Sequence, residues 1–144
     1  MRRVVVTGAG SWNGFGAGVP RFLDALRSGS CAIGDMTLFS TAGFRCGRAA
    51  VAPTPEVDGL ALGVVGARLS RSDRMALAAA REAWLCSGIG DAELPADRIA
   101  VAVGGTTGGM LEAEEMLRRR RSGELGRMHL RGLVTMPVLS LIHI

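Results

Sequence analysis

The chain has 144 residues, enough for one domain and a modest core. Apolar residues make up 48% and glycine fills 21 positions, which excludes a disordered polyelectrolyte and suits a glycine-punctuated α/β protein. The net charge is +4, but all 17 basic residues are arginine and aromatics are only 4%, so the stacking platforms of single-strand binders are missing and no nucleic-acid partner is expected.

No apolar run reaches the length of a membrane span. The start, Met1-Arg2-Arg3 followed by Val4–Val6, breaks at Thr7-Gly8, too soon for a signal peptide, so the expectation is a cytoplasmic protein without a membrane partner. Cys31, Cys46 and Cys86 are odd in number and widely spaced, which fits neither a disulfide framework nor a zinc site. No metal or cofactor is expected.

In chain order, Arg3–Thr7 reads as a strand without alternation, hence covered on both faces and central. Five glycines follow in Gly8–Gly18, with Trp12 and Phe15 among them. Pro20 opens a helix whose inward stripe is Phe22, Ala25 and Leu26, and Gly29 closes it. Ser30–Gly43 reads as irregular, Phe44–Ala52 as an extended segment, and Thr54–Ala67 as a loop or short helical excursion. Ser70 and Asp73 occupy capping positions ahead of a helix carrying Met75, Leu77, Ala78–Ala80, Ala83 and Trp84. Its polar stripe (Arg74, Arg81, Glu82) is narrow, and its alanines permit close packing against a sheet. Gly88 is the expected cap.

The chain is organised around Arg98–Met110, R-I-A-V-A-V-G-G-T-T-G-G-M. A β-branched apolar run (Ile99, Val101, Val103) empties into a Gly/Thr turn and then a helix at Leu111–Arg121. A buried strand followed by such a turn delivers main chain to a site at the strand's carboxyl end. In the helix, Glu112, Glu114 and Glu115 precede Arg118–Arg121, as the helix dipole favours, and Glu114–Arg118 and Glu115–Arg119 are spaced for i,i+4 pairing.

Two kinds of chemistry can be tested against these residues. A dinucleotide fingerprint needs G-x-G-x-x-G; Gly8 and Gly10 supply two glycines, but Asn13 occupies the third position, and no second strand ends in a ribose-binding acid. Nucleophilic catalysis needs a nucleophile and a base together. None of the three cysteines sits on a strand-to-helix elbow, and all three read as packing residues. His129 has no evident partner. The residues alone define no catalytic constellation.

Taken together, four stretches resemble the amino-terminal part of β-ketoacyl-acyl-carrier-protein synthases, the condensing enzymes of fatty-acid and polyketide synthesis. They are V-V-V-T-G-A-G with Gly14 and Gly16; Phe22–Leu26 with Ser28-Gly29-Ser30, Ala32-Ile33-Gly34 and Phe39; Leu69–Arg74 with Ala78–Ala83; and Val103–Gly109. Their order and spacing cover nearly all of Arg2–Leu117, and the match fades after Arg118. Trp12 and Asn13 depart from the usual loop residues, and Thr54–Leu69 looks compressed.

The resemblance implies an α/β fold: an incomplete thiolase-like fold, the first part of the N-terminal half of a layered α-β-α-β-α arrangement, spanning residues 1–138. It implies acyl transfer to a cysteine, decarboxylation of a malonyl-carrier protein and carbon–carbon bond formation. The partners would be acyl carrier protein and acyl or malonyl thioesters, with a homodimer at full length. The family's cysteine stands in a T-A-C-type elbow on the next strand, and its two histidines come from the second half. Cys31, Cys46, Cys86, His129 and His143 match none of these positions, so the chain alone is expected to be inactive. Thr107 matches a segment lining the family's acyl pocket. A non-catalytic chain-length-factor-like partner subunit is the alternative, and a small dinucleotide-binding domain a third.

Leu139–Ile144, L-S-L-I-H-I, holds two isoleucines in six residues where the rest of the chain has three. It resembles an in-frame translation of a transposon-type sequencing adapter, so residues 139–144 are expected to be a non-native tail in which His143 has no role.

Overall fold

The computed structural model describes residues 3–56, 69–105, 109–124 and 142–143. The chain divides into two units, one of Met1–Pro55 with Met75–Glu93, the other of Glu56–Arg74 with Leu94–Ile144.

The first unit is built on two helices. Helix α1 (Val19–Arg27) starts with proline in its first turn, where the missing N–H leaves no bond unmade. It ends at the expected glycine: Gly29 has φ 64°, its N–H donates to the Leu26 carbonyl, and the Ser30 N–H donates to the Ala25 carbonyl. That pair of bonds is the Schellman stop. Of the predicted inward stripe, Ala25 is buried and Phe22 half-buried, whereas Leu26 is exposed.

Helix α2 (Arg71–Ser87) covers the predicted range. Its alanine face packs not on a sheet but on an irregular glycine segment. A β-carbon on Gly8 would lie 2.2 Å from the Ala83 carbonyl oxygen, and one on Gly10 would lie 1.8 Å from that of Ala79. Only glycine lets main chain approach a helix this closely.

Two short antiparallel pairs complete this unit. Strands β1 (Trp12–Asn13) and β2 (Gly16–Ala17) form a hairpin within the glycine loop, with Trp12 opposite Ala17. Strands β3 (Gly34–Asp35) and β4 (Arg48–Ala49) pair Gly34 with Ala49, so the extended reading of Phe44–Ala52 holds over two residues and part of the irregular Ser30–Gly43 stretch is strand.

The predicted central strand at Arg3–Thr7 does not form. Val4 and Val6 are 94% and 90% exposed, and no described residue pairs with this segment. A strand acquires its hydrogen bonds only from neighbours, and a β-branched run without one is extended chain.

In the second unit the start of α2 carries the cap expected from the sequence. The Ser70 hydroxyl accepts from the Asp73 N–H at 3.1 Å, and the Asp73 carboxylate accepts from the Ser70 N–H at 2.9 Å, a reciprocal capping box. Helix α3 (Met110–Arg121) begins one residue before its predicted start and ends in a second Schellman stop at Gly123. The buried strand predicted before it is short and exposed: β5 (Ala102–Val103) pairs antiparallel with β6 (Ile142–His143), and Val101 and Val103 remain open to solvent. The loop or short helical excursion expected at Thr54–Ala67 falls mostly on residues outside those described.

Candidate functional site

Two glycine-rich loops stood out in the sequence. The first, Gly8–Gly18, is ordered by side chains at its tip and its neck. At the tip, the Asn13 carboxamide oxygen accepts from the Phe15 N–H at 2.8 Å, an Asx turn, while its Nδ2 donates to the Ser11 hydroxyl at 2.7 Å. The Trp12 indole N–H donates to the Pro53 carbonyl at 2.7 Å. At the neck, the Gly18 N–H donates to the Ser11 carbonyl at 2.9 Å.

Glu82 of α2 completes the neck. Its Oε2 accepts from the Ser11 N–H at 2.9 Å and its Oε1 from the Val19 N–H at 2.7 Å. Val19 is the first residue of α1, so the carboxylate satisfies one of the donors that a helix start leaves open. Glu82 was expected only as part of a polar stripe. The available signal was an acid set beside Ala79 and Ala83, on the face that meets Gly8 and Gly10.

These contacts explain the glycines without a nucleotide. Gly8 and Gly10 are filled against α2, and the α1 N-terminus already holds an anionic side chain.

The second loop follows β5. Gly109 adopts φ 75° as the N-cap of α3. Thr107, the residue matched to the family's acyl pocket, lies outside the described residues, as does His129. Glu112, in the first turn of α3, accepts from the Arg71 N–H at the start of α2 at 2.7 Å, a contact the sequence reading missed.

Further along α3, Glu115 rather than Glu114 gathers the arginines. Arg118 meets it with two bonds of 2.8 Å and Arg119 with one of 2.7 Å. The predicted Glu115–Arg119 pair forms; Arg118 turns to the acid three residues back instead of four. Hydrogen bonds from Arg118 and then Arg119 hold the Glu115 carboxyl down to about 2 from its ordinary 4.5.

The cysteines are a correction. Cys31, Cys46 and Cys86 are free and exposed rather than packed. The Cys46 sulfur lies 3.5 Å from both the N–H and the carbonyl of Arg48, local turn contacts and nothing more. The backbone of His143 pairs with Ala102. No described helix is long and apolar enough to cross a membrane.

Three helices and short strands, with a glycine loop locked onto a helix through Gly8 and Gly10, are consistent with an α/β protein. The family model of the β-ketoacyl synthase N-terminal domain matches residues 1–137, and the chain belongs to that family. It is 40% identical over 116 residues to a putative polyketide β-ketoacyl synthase 1 of Streptomyces cyaneus, a stretch that is 78% of this chain and 27% of the relative. It is 34% identical over 110 residues to the tetracenomycin polyketide synthase ketoacyl synthase alpha subunit of Streptomyces glaucescens, covering 74% of this chain and 25% of that protein. The chain thus spans about a quarter of the length of these curated relatives.

Proposed function

We propose that this chain is the amino-terminal part of a condensing enzyme of the polyketide type, acting by decarboxylative Claisen condensation of acyl and malonyl units carried on acyl carrier protein. The observation that carries the reading is the family match across residues 1–137, with 40% identity to a protein named as a polyketide synthase component. Both relatives named above are polyketide proteins, which favours that pathway over fatty-acid synthesis.

On this reading the 144-residue chain carries scaffold and no catalytic residue. The nucleophilic cysteine and the two histidines belong to later parts of the thiolase-like fold, which the full-length protein supplies as a cytoplasmic homodimer. Thr107 lines the acyl pocket, and residues 139–144 are a non-native tail.

The test is to express the complete parent reading frame with its carrier protein and to follow carbon dioxide release from the malonyl thioester together with formation of the condensed product. The reading requires both. A folded parent protein that takes up no acyl group and releases no carbon dioxide contradicts it as an active synthase. A parent reading frame that encodes a different sequence after Val138 supports the assignment of 139–144.

A further inference from the structure

We infer that Glu82 is the positioning residue of the glycine loop, a built-in anion that holds the neck of the β1–β2 hairpin closed and the first turn of α1 in place. The inference concerns the loop's architecture and does not rest on the condensing-enzyme reading.

The geometry is specific. The hairpin leaves and returns through Ser11 and Gly18, whose main-chain bond of 2.9 Å closes the neck. The two Glu82 oxygens then divide: one takes the N–H on the incoming side at Ser11, the other the N–H on the outgoing side at Val19. Glu82 thereby joins both sides of the neck to α2. Gly8 and Gly10 press the preceding segment onto the same helix, Gly8 against Ala83 and Gly10 against Ala79 one turn earlier, so the carboxylate has little freedom to choose other partners. A carboxylate suits the place because both partners are donors. A glutamine keeps one acceptor and turns an NH₂ group toward the second N–H, so charge and shape are separated by that single change.

The position also sits at a helix N-terminus, where anions are favoured. Glu82 therefore fills from within the place that a phosphate takes in nucleotide-binding loops, and removal of its side chain should leave two donors that a small carboxylate can satisfy.

The experiment is hydrogen exchange by mass spectrometry on the whole chain, read on peptides covering Ser11–Val19 and, as a reference, Met110–Arg121. In E82Q, exchange over Ser11–Val19 should quicken by roughly tenfold or more, because bonds to a charged acceptor are among the strong ones, while the reference helix is unchanged. In E82A, added formate should restore protection over Ser11–Val19, and chloride at the same concentration should not. Wild-type-like exchange in E82Q overturns the inference, as does an equal loss over both peptides, which would make Glu82 a general stabiliser. Failure of formate to restore E82A overturns the built-in-anion role, and so does a wild-type loop that exchanges without protection.

Discussion

Gly10 lies so close to Ala79 that a β-carbon on the glycine would stand 1.8 Å from the alanine's carbonyl oxygen. No real contact of that kind exists, so any side chain at position 10 must push the Gly8–Ser11 segment away from α2. Overpacking of this sort costs about 1–3 kcal/mol. Gly10→Ala is therefore expected to raise hydrogen exchange over Ser11–Val19 by roughly tenfold or more, because the Glu82 bonds lie just beyond the displaced residue. Gly29→Ala, where nothing lies within 4 Å, should leave that loop unchanged and act only on the end of α1.

The capping box at the start of α2 is independently testable. Ser70 and Asp73 satisfy each other's main-chain N–H. Ser70→Ala removes the hydroxyl acceptor and should cost about 0.5–2 kcal/mol of helix stability. Fraying of the first turn, measured as faster exchange over Arg71–Met75, is the expected result.

Glu115 gives a pH dependence whose direction follows from its two arginines. Its folded value of about 2 lies below the ordinary 4.5. The ionised carboxylate is thus preferred in the folded helix, so the pairing supports α3 fully above the ordinary carboxylate range and is lost as the pH falls toward about 2. Carbon-13 titration of the carboxyl group should show the low midpoint, and 1 M salt should move it back toward 4.5, since the group is solvent-exposed and therefore screened. Arg118→Ala should raise the midpoint more than Arg119→Ala, because Arg118 supplies the larger contribution.

A fourth expectation concerns the chain as a whole. Among the described residues the buried apolar side chains are the small ones of Ala25, Ala52 and Pro55, while Val4, Val6, Leu26, Leu85 and Phe44 stand more than half open to water. Surfaces of this kind associate or bind hydrophobic dyes. The 144-residue chain should bind such a dye strongly and self-associate through these surfaces, while the glycine loop and the helices keep their local hydrogen bonds. A soluble monomer with no dye binding would be the opposite result.

The helices were legible because their signals are local. Pro20 and Gly29 bracket α1, Ser70 and Asp73 start α2, and Gly88 ends it, each acting through bonds a few residues away. The strands were legible only in part: Arg48–Ala49 and Ala102–Val103 fall inside the predicted extended runs, whereas Arg3–Thr7 does not pair. Val4–Val6 has the composition of a central strand, but strand formation depends on a distant partner that a local pattern does not contain. Glu82 illustrates the same limit at the candidate site: amphipathicity places it on a helix face, yet only the folded loop brings Ser11 and Val19 to its oxygens. The family resemblance was carried by the order of four glycine-marked stretches, and the match over residues 1–137 bears it out.

The most direct measurement is to read the parent DNA through and beyond the codons for Met136–Ile144. The account predicts that the frame continues from Val138 without L-S-L-I-H-I and soon encodes a T-A-C-type elbow carrying the nucleophile. Another residue in place of that cysteine would assign the parent to the non-catalytic partner class. A genuine stop codon directly after Ile144 would contradict the condensing-enzyme reading of this protein.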